Sequence, residues 1–209
     1  MTLDAANEDK KYIPTLAAQL AKRGHEVYHV KTAKEACEMA LTLIGADETV
    51  GVPGTMTARQ IGLVGALKDR GTPVAEHWDK GDKTTAQAQE EERAADWFVT
   101  SANAVTADGM LVSCDGFGNR VACMAWGPKK HLYLLGLNKF TPNLPSAFNR
   151  VREYAALQNA LRFHPDLAEK EEELLQAADD LCRAFVVIDK RPGSCERSVV
   201  LLIEESLGY

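Results

Sequence analysis

With 209 residues, 45% of them hydrophobic, the chain can bury a full core as one domain over 1–209 and needs neither disulfide nor metal to do so. Its 30 acidic and 24 basic residues leave a net charge of −6 with the signs interspersed, which excludes general attraction to nucleic acid or anionic membrane; any anion must be held locally. The acidic, polar start Met1-Thr2-Leu3-Asp4 and the lack of an apolar stretch near the roughly 18 residues of a membrane span point to a soluble, cytoplasmic protein.

In chain order, Ile13, Leu16, Ala17 and Leu20 mark one face of a helix, 27–30 reads as a strand, and Ala33, Ala36, Cys37, Ala40 and Ile44 mark a second helix. A short buried strand at 49–52, a Pro53-Gly54 turn, a helix over 57–69 and a strand at 73–75 follow. Three helix starts carry capping boxes, Thr32 with Glu35, Thr57 with Gln60 and Thr84 with Gln87. After the helix at 84–94, a strand at 97–100 leads into a hairpin over 105–114 that turns at Asp108-Gly109. Asn119 is placed to cap a short helix to Ala125, 131–135 returns as a strand, and Leu144, Ala147, Phe148, Val151 and Ala155 stripe the last long helix. An acidic, Ala/Leu-rich stretch makes 165–182 a solvated helical linker, and strands at 185–188 and 198–203 make 183–209 a C-terminal β-hairpin docking on the rest. The rhythm is α/β, with a mixed, mainly parallel sheet flanked by helices.

Cys37, Cys114, Cys123, Cys182 and Cys195 form no close pair in sequence, and His25, His29, His77, His131 and His164 have no partner at ligand spacing, so no metal site is expected. Cys114 beside Asp115 has the makings of a nucleophile, but a cysteine ending an apolar strand reads first as a small buried hydrophobe.

Two loops have the composition to hold an anion. Gly51-Val52-Pro53-Gly54-Thr55-Met56-Thr57 leaves a strand and opens a helix, so Gly54 can adopt a backbone closed to other residues while amides near Thr55 and Thr57 point outward; it is neither a Walker loop nor a dinucleotide fingerprint. Asp115-Gly116-Phe117-Gly118-Asn119-Arg120 adds two glycines, a capping asparagine and a guanidinium at another helix start. Both fall at strand ends, where open α/β sheets bind ligands. Lys129, and Asn138-Lys139, flank the strand at 131–135, and one of the two lysines is expected to face the pocket. Ser101, Asn103 and Thr106 follow the strand at 97–100 and either bind ligand or close the hairpin. For general acid or base work the carboxylates are Asp115 and Glu76, with Asp115 the first to test.

The series Thr100-Ser101-Ala102-Asn103-Ala104-Val105-Thr106-Ala107-Asp108-Gly109, Asp115-Gly116-Phe117-Gly118-Asn119-Arg120-Val121-Ala122, Gly127-Pro128-Lys129-Lys130 and Gly136-Leu137-Asn138-Lys139 resembles the LUD-domain (lactate utilization) family, in its small-subunit type without iron–sulfur clusters. The likeness extends to the 50–62 loop, Arg191-Pro192-Gly193 and the closing Glu205-Ser206-Leu207-Gly208-Tyr209. It implies a three-layer α/β fold like that of ribose-phosphate isomerase, glucosamine-phosphate deaminase and CoA-transferase, and a place in the oxidation of L-lactate to pyruvate. Iron–sulfur clusters are then expected only in partner subunits, this chain binding a small anionic or nucleotide-like ligand, with a homo-oligomer as a further assembly open to it. The chain departs from the family in lacking a cysteine cluster over 162–180 and in carrying Thr55 and Arg59 where a serine and an acidic residue are common. Two other readings stand beside this one: an independent isomerase-like or CoA-transferase-like enzyme using Asp115 or Glu76, and a non-catalytic scaffold.

Overall fold

The computed structural model describes residues 11–209. Six strands form a wholly parallel sheet: β1 (Glu26–Val30), β2 (Val50–Gly51), β3 (Val74–Ala75), β4 (Trp97–Thr100), β7 (Lys130–Gly136) and β10 (Arg197–Ile203), in the spatial order β1-β10-β7-β4-β2-β3. The central strands alternate faces. Trp97, Val99, Leu132, Leu134, Val199, Leu201 and Ile203 pack one way, against helices α2 (Ala33–Leu43), α3 (Met56–Gln60) and α4 (Leu63–Asp69). Phe98, Tyr133, Leu135, Val200 and Leu202 pack the other way, against α1 (Ile13–Lys22) and α6 (Asn119–Ala125). A strand whose every side chain is covered needs a continuous apolar run, which is how β10 and β7 are written.

The predicted Asp108-Gly109 hairpin forms, as β5 (Ala104–Thr106) and β6 (Leu111–Asp115), with Gly109 at φ +91°. It belongs to a second sheet, β8-β5-β6-β9, with β8 at Phe140–Thr141 and β9 at Ala184–Ile188. Val105, Leu111 and Ile188 of this sheet share a core with the parallel sheet. Antiparallel pairing is thus segregated instead of being mixed into the main sheet.

Several boundaries differ from the sequence reading. The segment 183–209 is not a hairpin: β9 pairs antiparallel with β6, whereas β10 inserts between β1 and β7. The reason is burial, since 198–203 is covered on both faces and a hairpin docked at the rim would leave one face wet. The helix over 57–69 is broken at Gly62, φ +75°, and its capping box does not form; Thr57 is buried inside α3, and Gln60 accepts from the Gly208 amide instead. Thr32/Glu35 and Thr84/Gln87, the latter opening α5 (Thr85–Ala94), do form capping boxes. The helical linker becomes a 3-10 turn at Pro165–Leu167 and α9 (Glu171–Asp180), whose Leu174, Ala177 and Ala178 pack on Ala156, Leu157 and Ala160 of α8 (Ala156–Phe163). Upstream, α7 (Leu144–Arg150) runs into α8 through a π-helical turn, Val151–Ala155.

Candidate functional site

Parallel strands all end on the same side, so the segments that follow them converge. The residues after β2, β3, β4 and β7, together with Gly208 and Tyr209 beyond β10, line one cavity of about 470 Å³, roofed by the β6–α6 loop, the π-turn, α8 and residues 180–183 ahead of β9. This is the crevice beyond the carboxyl ends that open α/β sheets use for ligands, and its size falls in the range for small-molecule sites.

Of the residues expected there, Gly54, Thr55, Thr57, Ser101, Asn103, Asp115, Gly116, Asn119, Arg120 and Lys139 line this cavity. Gly54 has φ +70°, and a Cβ on it would come within 2.8 Å of the Trp78 ring, so the turn accepts glycine alone. Glu76, Gly118, Lys129 and Asn138 do not line it. Glu76 is buried between two cations, Arg59 and Lys68 (2.6 Å), which spends both its oxygens. Gly118 is the left-handed cap of α6, displacing Asn119 from that role. Asn138 fastens the tail, its amide donating to Gly208 O (3.1 Å) and its carbonyl accepting from the Leu207 amide (3.0 Å). Lys129 precedes β7, so it sits at the opposite end of the sheet, exposed and paired with Glu196 (2.8 Å).

Arg120, read from sequence as an anion grip, is committed to the protein. Its five N–H groups go to Asp115 Oδ1 (3.0 Å from Nε), Ser101 O (3.1 Å), Ser113 Oγ (3.2 Å), Asn103 Oδ1 (3.0 Å) and Cys114 O (2.8 Å), which ties the hairpin to the loop after β4. Asp115 is equally occupied, accepting from Arg120 through one oxygen and from the Val121 amide (2.8 Å) through the other. The carboxylate thus satisfies one of the open amides in the first turn of α6. The cavity thiols are poor nucleophiles: burial pushes Cys114 up to about 12 and raises Cys182 as well.

Lys139 is the opposite case. It is 2% exposed, its ammonium donates to the main-chain oxygen of Tyr209, and among the described residues no side-chain carboxylate pairs with it. Burial, with Arg150 and Arg120 nearby, lowers its pKa well below the lysine range. Two more lining groups lack partners: Thr55 Oγ1, on a side chain 4% exposed, and Asn119 Nδ2. Unsatisfied buried polar groups are costly, and both belong to residues that line this cavity.

His77, Trp78, Arg162 and Tyr209 also line the cavity, and the sequence reading missed them in this role. His77 Nδ1 lies 2.7 Å from Glu92 Oε1, which also accepts the His77 amide (2.6 Å); this orients the imidazole from behind. Arg162 stacks with its guanidinium carbon 4.7 Å from the Trp78 ring centre and 4.0 Å from that of Phe163. The loop rule that located Gly54 and Ser101 applies equally to His77 and Trp78 after β3. No local signal marks Arg162, which reaches the cavity from a helix.

The described residues bring together no group of three His, Cys, Asp or Glu arranged to hold a metal, and none of their helices is long and apolar enough to cross a membrane. What remains is a three-layer α/β protein with a cavity of mixed polar and apolar lining at its strand ends. Residues 13–166 match the LUD domain, and the chain belongs to the LUD-domain family. Among solved structures it is similar to a DUF162-family protein from Deinococcus radiodurans, with a TM-score of 0.55 at 12% identity over 93% of this chain and 98% of that one, a likeness of fold. No curated protein matches.

Proposed function

We propose that this LUD-domain chain holds a small anionic metabolite in the strand-end cavity and serves as an accessory subunit in oxidation of L-lactate to pyruvate, alongside iron–sulfur partner subunits. Lys139 carries the reading: a buried amine with no side-chain counter-ion gains most when an anion arrives. Thr55 and Asn119 offer hydrogen bonds to the same guest, and Trp78 with Arg162 offers a flat cationic wall that suits a planar carboxylate or a nucleotide base. The lactate assignment is supported by family membership. The carboxylate-catalysed isomerase or transferase reading is disfavoured, since Asp115 and Glu76 are both engaged in ion pairs.

A thermal-shift panel of lactate, pyruvate, sugar phosphates, nucleotides and CoA esters tests the reading. A true ligand at a hundredfold excess over its Kd adds about 2.7 kcal/mol, and Lys139→Met is expected to lose that response. An anion also restores the ammonium, so binding takes up a proton and the calorimetric enthalpy should vary with the ionisation heat of the buffer. Silence across the whole panel leaves the scaffold reading in its place.

A further inference from the structure

We propose that His77 is a specificity-determining residue of the strand-end cavity. Its Nε2 accepts a hydrogen bond from a hydroxyl on the bound anion, and the buried Glu92 is the positioning residue that keeps this nitrogen an acceptor. The inference deepens the anion-binding reading and rests on it, adding that the guest carries a hydroxyl near its charge.

Glu92 lies in α5 and is 1% exposed. A carboxylate so deeply buried ordinarily meets a lysine or arginine, yet among the described residues its ion-pair partner is His77 alone. Both contacts fall on one oxygen: Glu92 Oε1 accepts from the His77 amide (2.6 Å) and lies 2.7 Å from His77 Nδ1. The backbone is shaped to seat it. A Cβ on Gly51 would come within 2.8 Å of Glu92 Cα and closer still to the Glu92 main-chain oxygen, so β2 and α5 meet here only because residue 51 has no side chain.

This pairing sets the chemistry of the ring. A carboxylate accepts and does not donate, so Nδ1 bears the hydrogen of the neutral imidazole and Nε2 keeps a lone pair. No group among the described residues engages that nitrogen. Nε2 of His25 and of His131 is likewise unpartnered but shut away from solvent, whereas the His77 side chain is 17% exposed and lines the cavity.

An acceptor on the wall asks for a donor on the guest. A carboxylate or phosphate oxygen at Nε2 would set lone pair against lone pair, so the charge of the guest must sit elsewhere. Arg162 offers that place: it lines the same cavity with its guanidinium carbon 4.7 Å from the Trp78 ring centre, and His77 stands edge-on to the same indole, ring centres 6.2 Å apart. An anion with a neighbouring hydroxyl can satisfy both groups. A ketone or a bare methylene in place of that hydroxyl leaves Nε2 unsatisfied, and sites built to bond a hydroxyl reject the analogue that lacks it.

The test is calorimetric titration of the full chain with matched anions: lactate against propionate and pyruvate, and glycerol 3-phosphate against propyl phosphate. The two series distinguish a hydroxy acid from a hydroxylated phosphate. In the series that binds, the hydroxyl-bearing anion should bind about tenfold more tightly than its partners. His77→Phe keeps a ring at the site, and Glu92→Gln supplies an amide that can donate to Nδ1 and so move the hydrogen to Nε2. Each should bring the ratio to within about twofold while the anion lacking the hydroxyl still binds. Where these variants fold poorly, nitrogen-15 spectra of the histidines in the unaltered chain decide, with the hydrogen of His77 expected on Nδ1. A hydrogen on Nε2, equal binding of matched anions, or a response confined to anions outside both series overturns the acceptor role while leaving anion binding intact. No response to these probes or to the wider panel overturns both.

Discussion

The two ends of the parallel sheet treat charge differently. At the amino end Lys130 meets Glu48, Lys129 meets Glu196 and Arg197 meets Glu26, and the Asp96 carboxylate accepts from both the amide and the hydroxyl of Thr49, 2.8 Å each. At the carboxyl end a buried lysine, a threonine hydroxyl and an asparagine amide face a cavity without side-chain partners of their own. Unsatisfied buried atoms occur at both ends, His25 Nε2 and His131 Nε2 at one and Thr55 Oγ1 and Asn119 Nδ2 at the other, so the contrast lies in the charges: those of the amino end are paired, whereas Lys139 keeps only a main-chain partner. Lys129 and Lys139 bracket β7 with the same charge and show the contrast directly: one is solvated and paired, the other buried beside a main-chain oxygen.

The largest effect should come from the group at the cavity end that is fully satisfied. Arg120→Ala leaves Asp115 buried without its cation and frees the acceptors of four other residues, so a loss of about 3–5 kcal/mol in denaturant unfolding is expected. A loss below about 1 kcal/mol would return Arg120 to the ligand.

Next comes acid sensitivity at the interior of the amino end. Burial lowers both His25 and His131 to about 4, with mutual repulsion adding to the effect on His25. Their folded pKa values lie below the unfolded 6.5, so between pH 6.5 and 4 the unfolded chain binds more protons. The stability of the neutral pair is therefore intact above 6.5 and lost as pH falls through this window, by about 2 kcal/mol per histidine at pH 5. Unfolding at stepped pH should show that slope, and His131→Gln should halve it; an unchanged slope would mean the histidines titrate normally.

Smaller and opposite in sign is Thr55→Val. Replacing an unpartnered buried hydroxyl by a methyl should stabilise the ligand-free protein by up to about 1 kcal/mol while weakening any anion response. Destabilisation would show that the hydroxyl already has a partner. Last, Lys129→Ala should change neither the melting point nor the response to any anion, since the side chain is solvated and at the wrong end.

Much of the frame was legible locally. Period-two and period-3.6 patterns, two of three capping boxes and the Asp108-Gly109 turn depend on residues a few positions apart, and the structure has them. The strand-end rule also brought Gly54, Ser101 and Asn103 to one cavity, because parallel strands must all end on one side. Where the reading erred, a distant partner had intervened. Gly118 takes the cap position of α6 in place of Asn119 while Asp115 accepts the Val121 amide, Gln60 turns to the Gly208 amide in place of capping its own helix, and 198–203 finds its partners in β1 and β7 instead of in β9.

By itself, then, the sequence determined which segments are helix or strand, which loops sit at strand ends and which family the motifs belong to, since these follow from short-range geometry and the order of residues. Only the tertiary structure decided which charges are spent and which are left over. Whether a guanidinium or an ammonium is free depends on carboxylates and carbonyls brought near from other parts of the chain, and that is why Arg120 became a fastener while Lys139 was left with a single main-chain partner.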